Sequence, residues 1–132
     1  MRHRGQALVE LAVCLPVVLL LGLGAAGVVQ VADAAAGLRA ATEAAVDAAA
    51  RAPDAIQAQS AAFARFHALV AAYPLKSAVL HLTTAGFTRG DLIVGSAIAT
   101  VDLGWESMSV LRATVPLSAS AQMRAELWRT RT

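Results

Sequence analysis

Cysteine, aromatics and charge are all scarce in this chain, and each shortage excludes something. The single Cys14 cannot close an intramolecular disulfide. It stands inside an apolar run, where a cysteine usually serves as a small hydrophobe, and too little apolar sequence precedes it for a lipoprotein cysteine. Aromatic residues are 5% of the chain and charged residues 15%, with no basic block interleaved with aromatics. The pI near 9.3 therefore reflects arginines spread along the chain and makes no nucleic-acid face. His3, His67 and His81 are dispersed, with no Cys or carboxylate at metal-ligand spacing. There is no phosphate-binding glycine loop and no Gly-x-Ser-x-Gly motif. These absences argue against an enzyme, a metal, a cofactor and a small-molecule substrate. Arg89-Gly90-Asp91 spells a tripeptide known from cell-adhesion ligands, but Gly and Asp are ordinary turn residues.

What the chain does have is one long apolar run. Leu11 to Val29 contains no charged or amide side chain. About 20 such residues, at about 1.5 Å rise each, cross a hydrocarbon core about 30 Å thick. A secretory signal peptide carries only about 7–15 apolar residues, so a retained membrane helix is expected. The competing reading is a removed signal peptide, because Ala32-Asp33-Ala34 has the small-x-small form of a cleavage site. Arg2 and Arg4 precede the run and no basic residue follows it until Arg39. The positive-inside rule then leaves the N-terminus in the cytoplasm and places the bulk of the chain outside. Hydrophobic residues make up 58% of the chain and mean hydropathy is +0.60, high for a soluble domain. The membrane segment and abundant alanine account for much of that.

Glu10 sits at the cytoplasmic edge of the run, where a carboxylate is costly unless it is paired or reaches water. One reading is an interfacial residue reaching the headgroups; the other is a residue that meets a positive partner within the membrane. Arg4-Gly5-Gln6-Ala7-Leu8-Val9-Glu10, followed by an apolar run with a Leu15-Pro16 step, resembles the TadE-like family. These are minor pilins or pseudopilins of the tight-adherence (Flp-type) pilus assembly system. More broadly the stretch resembles a type IV prepilin leader. The resemblance implies that a prepilin peptidase cuts after Gly5, that Gln6 becomes the new N-terminus, and that Glu10 becomes the fifth mature residue. Mature pilins often begin with Phe or Met; this chain has Gln6. In that class the glutamate neutralises a neighbouring subunit's terminal amine and sets register during assembly.

Within the run, Pro16 removes one helical hydrogen bond, which membrane helices tolerate. Gly22 and Ala26 have the four-residue spacing of close helix packing, against the bland reading of a Gly/Ala-rich composition. Beyond it, Gln30 to Arg51 is dominated by alanine, the best helix former. Arg39, Glu43, Asp47 and Arg51 line one polar face, Gly37 is a weak point, and Pro53 ends the helix. A second helix is expected over about Asp54 to Ala72, capped by Asp54. Its apolar stripe would be Ile56, Phe63, Phe66, Val70 and Tyr73, a domain core rather than a ligand box, and Arg65 points elsewhere.

From Ala78 the pattern turns to strands: Ala78 to Thr84, Asp91 to Leu103 after a turn at Gly86–Gly90, and a last alternating run. Gly95 marks a bulge or close approach. A connection starts at Gly104, with Trp105 and Glu106. In the last run Leu111, Ala113, Val115, Leu117, Ala119, Ala121 and Met123 form the dry face, and Pro116 argues for an edge strand or a bend. Its end, Met123-Arg124-Ala125-Glu126, again resembles TadE-like proteins.

The expected fold is α+β: a long N-terminal transmembrane helix continues into an exported domain, where a second helix packs on a small, mainly antiparallel three-stranded sheet. The expected division is a leader (1–5), a transmembrane helix (6–31), a helix extension (32–52), an α+β domain (53–127) and a frayed tail (128–132). The resemblance implies a pseudopilin whose partners are the membrane, a prepilin peptidase, other pilin or pseudopilin subunits and the secretion platform. It implies a single-pass location, N-terminus cytoplasmic, with incorporation into a surface pilus. The alternatives are an uncleaved signal-anchored protein with a partner- or cell-wall-binding domain, and a secreted domain cut after Ala34.

Overall fold

The computed structural model describes residues 2–88, 90–103 and 113–125. Two helices and three strands follow in chain order: α1 (Arg2–Arg51), α2 (Ala55–Val70), β1 (Lys76–Thr84), β2 (Leu92–Leu103) and β3 (Ala113–Arg124). The layout is α+β, as the patterning implies. Helix α1 is continuous over 50 residues, with Pro16 inside it. It ends two residues before Pro53, whose ring disfavours helical geometry in the residue before it.

The sheet order is β1-β2-β3, with both pairings antiparallel. Along β2 the buried residues Ile93, Gly95, Ala97, Ala99 and Val101 alternate with outward ones, the period-two signature of a sheet covered on one face. Leu80 opposite Ala97 and Leu117 opposite Ala99 extend the inner face to the flanking strands. The last strand alternates as its sequence predicts, with Ala119 buried and Ser118 and Ser120 exposed. Burial fades at its ends, where Ala113 and Met123 are exposed, and Leu111 lies outside the described residues. Pro116 sits opposite Thr100 on an edge strand that passes through it without a break, where a missing N–H is tolerated. The expected tail and the connection with Trp105 and Glu106 also lie outside the described residues.

The inner face is covered by the C-terminal half of α1. Ala34, Leu38, Ala41, Ala45 and Ala49 are fully buried there, whereas Arg39, Glu43 and Arg51 are exposed on the opposite face. Such small side chains bring the backbones close. At Gly95 an added Cβ would collide with Val46 of α1, so close approach, one of two readings for this glycine, is its role. Thr42 is a buried polar residue in this layer. Its hydroxyl donates to the Leu38 carbonyl at 2.7 Å, so the group carries no unmet bond.

Helix α2 returns along α1. Asp54 caps it by accepting from the Gln57 N–H at 2.8 Å. The buried stripe keeps Phe66 and Val70 of the expected one and corrects its start. Ala58, Ala62, Phe66 and Val70 form it, whereas Ile56 is 82% exposed. Those four residues recur every fourth position on one face, and Ile56, two residues before Ala58, lies on the opposite side of the helix. Gly37 corrects a second expectation. It is no weak point but the seat of the Tyr73 ring, which lies where a Cβ at residue 37 would be.

Candidate functional site

The stretch that carries the functional argument lies on the part of α1 that leaves the domain. From Gly5 to Leu21 every residue is exposed, and the first buried side chain is Ala34. Leu8, Leu15, Leu21 and Val29 are 54–70% exposed. This part of α1 is long and apolar enough to cross a membrane, and none of its most apolar window is buried in the protein. A contiguous apolar surface of this kind marks an interaction with lipid or protein.

Gly5, Gln6 and Glu10 all lie within the first turns of α1 and all are exposed. Gln6 and Glu10 are four apart, so they share a face. The Gln6 Nε2 donates to Glu10 Oε1 at 3.4 Å, a long bond that leaves the carboxylate with acceptor capacity. Gly5 and Gly22 have no other part of the chain within 4 Å of an added Cβ. Ala26 is exposed four residues after Gly22. The fold thus leaves all five candidate residues on open helix surface and brings none of them to the domain. Cys14 is likewise exposed and free.

No cluster that could hold a metal ion occurs among the described residues. His67 stacks on Phe63 with centroids 6.5 Å apart and meets Phe66 edge-on at 5.8 Å. His81 lies on the exposed face of β1. Of the Arg89-Gly90-Asp91 tripeptide, Arg89 lies outside the described residues. Gly90 has φ +81°, which glycine adopts without strain. Asp91 turns back into its hairpin, accepting from the Thr88 hydroxyl and the Thr88 N–H, both at 2.7 Å. Those bonds, the hydroxyl first and the amide second, lower its pKa from the usual 3.8.

One polar group has no counterpart in the sequence reading. Lys76 Nζ meets Asp102 Oδ2 at 2.7 Å, and the Thr114 hydroxyl donates to Asp102 Oδ1 at 3.0 Å. The three residues come from three strands, so only the register brings them together. The ion pair is exposed, of a kind worth about 0–1 kcal/mol. No family model, curated protein or solved structure matches the chain.

Proposed function

We propose that this chain is a membrane-anchored minor pilin or pseudopilin of the TadE-like kind, acting in a tight-adherence-type pilus or secretion assembly. The observation that carries the reading is the bare apolar half of α1 with Glu10 near its start. Between Gly5 and Gln30 Glu10 is the one charged side chain, and its carboxylate is exposed with spare acceptor capacity. In lipid such a carboxylate needs a positive partner or water. A terminal amine on a neighbouring subunit supplies that partner, and a cut after Gly5 creates such an amine at Gln6. The work of the protein is mechanical on this reading. A prepilin peptidase removes the basic leader, the apolar helix holds the subunit in the bilayer, and Glu10 sets its register among other helices. The open surface at Gly22 and Ala26 admits close approach of one of them.

The test is the N-terminal residue of the protein recovered from membranes, with and without co-expressed prepilin peptidase. Cleavage is expected to give a start at Gln6 only when the peptidase is present. An intact Met1 in both conditions, with the peptidase active on a control substrate, would replace the pilin reading with an uncleaved signal anchor. The remaining alternative, a cut after Ala34, would give a free soluble protein that begins near Ala35. Glu10→Ala is expected to leave membrane insertion intact and to abolish most assembly. Piliation at the parental level in that variant would remove the register role.

A further inference from the structure

Helix α1 enters the domain without a linker. Val29 ends the apolar run, and Ala34 is the first fully buried side chain. Five residues at 1.5 Å rise place the domain about 7–8 Å beyond the hydrocarbon edge, whereas the headgroup layer is about 5–7 Å deep. A domain held this way starts at the lipid surface.

The end that faces the lipid can be read from the packing. Tyr73 lies on Gly37, one turn beyond Ala34. At the other end of the layer, Ala55, Ile56 and Gln59 of α2 lie beside Leu82 and Thr84 of β1. The connection from α2 to β1 therefore lies at the end where α1 enters, and the Asp54 and Asp91 turns lie at the far end. This connection is uncharged from Ala68 to Leu75. Ala71, Ala72 and Pro74 are exposed, with Tyr73 and Leu75 half-buried. Lys76 follows it. Arg39, exposed on α1, has its Cα–Cβ bond tilted towards the helix N-terminus and hence towards the bilayer. Asp33 is an exposed carboxylate about 9 Å nearer the bilayer than Arg39 along α1, so attraction to anionic lipid is not what the surface offers. Small apolar residues around a half-buried tyrosine, with Arg39 nearby and Lys76 paired to Asp102, instead suit a membrane–water interface.

We infer that the Ala71–Leu75 loop, which lies about 12 Å past Val29 at the level of Gly37, rests on the outer edge of the headgroup layer of the bilayer that α1 crosses, as a second contact between the domain and the lipid surface. A helix alone leaves the domain free to turn about the helix axis. A second contact fixes which face is presented outwards, and an ordinary helix tilt of about 20° lowers the loop further. The inference rests on the membrane-crossing reading of α1 and is independent of the pilin assignment.

The test uses the full chain in phosphatidylcholine vesicles. In a Cys14→Ser background, single cysteines at Val18, Ala72 and Ser60 each carry an environment-sensitive fluorophore. Ala72 and Ser60 are both exposed, so neither label disturbs the core. The Ala72 probe is expected to be quenched several-fold more strongly than the Ser60 probe by a spin label at headgroup depth, with the Val18 probe shielded from aqueous iodide. A shielded Val18 probe with Ala72 as open to iodide as Ser60 would overturn the loop contact alone. A Val18 probe open to iodide would overturn the membrane crossing, and the loop contact with it.

Discussion

The two halves of α1 put opposite kinds of side chain to use. In the first half the large residues stand free of the protein; Leu21 is 70% exposed and Val29 67%. In the second half the buried residues are mostly alanines, with Leu38 and Val46 among them. One continuous helix is thus more hydrophobic where it makes no core than where it makes one. The difference teaches that the surroundings decide what burial requires. Lipid tails solvate a leucine as well as a protein interior does, so the bare half needs no protein neighbours. In water the second half gains by close packing, and small side chains let α1 approach both α2 and the sheet.

The strongest attempt to break this contrast makes one substitution in both halves. Leu38→Ala is expected to cost the domain about 2–5 kcal/mol, because the site is fully enclosed and collapses only in part. Leu20→Ala, at a side chain 64% exposed, is expected to leave domain stability unchanged. Hydrogen exchange of the strand amides, in the full chain held in micelles, reads both. Equal effects would mean that the halves do not differ in what supports them. A second matched pair uses glycine. Gly37→Val displaces the Tyr73 ring and is expected to cost about 1–3 kcal/mol by overpacking. Gly22→Val meets open space and is expected to leave the strand amides as protected as before.

A smaller effect sharpens the contrast within the domain itself. Asp54→Ala removes the cap on the Gln57 N–H and is expected to cost about 1 kcal/mol. Faster exchange confined to the first turn of α2, with the strands little changed, is the expected pattern. Uniform protection across that turn would show that water replaces the cap without loss.

Much of this architecture is written in side-chain periodicity. The helical run from Leu11 to Val29, the stop at Pro53 and the alternation around Leu117 and Ala119 are each visible in the residues themselves. The Asp54 cap and the edge position of Pro116 follow from single residues with strong backbone demands. The inward face of α2 was less legible, because Ala58 and Ala62 are indistinguishable in composition from its exposed alanines. Ranking by hydrophobicity selects Ile56, whereas the face fixed by Phe66 and Val70 runs back through Ala62 and Ala58. The Gly37–Tyr73 contact and the Lys76–Asp102–Thr114 group depend on tertiary register, which no local pattern carries. The candidate site is a different case. Gly5, Gln6 and Glu10 lie within six residues near one helix end, and the fold leaves all three exposed there. On the proposed reading their partner is a second subunit, and the N-terminal measurement tests that.

The smallest expected effect lies at the far end of the domain, in the hairpin between β1 and β2. Asp91 has its carboxyl held below the usual 3.8 by the Thr88 hydroxyl and then the Thr88 amide. A carboxylate whose folded pKa is lowered stabilises the fold above its unfolded pKa, and the contribution fades as pH falls through the folded value. The hairpin is therefore expected to loosen only in acid below about the ordinary carboxylate range. Asp91→Asn keeps an oxygen for Thr88 but cannot titrate. Exchange of the Thr88 amide, followed from neutral pH downwards, is expected to separate the two proteins at neutral pH and to bring them together in acid. A constant gap at every pH would assign the bond to geometry rather than charge. The bare half of α1 is expected to stay unchanged over the same range of this hairpin's titration, because the hairpin lies at the end of the domain opposite to where α1 enters. A simultaneous change there would mean that the two halves are mechanically coupled through the rigid helix they share.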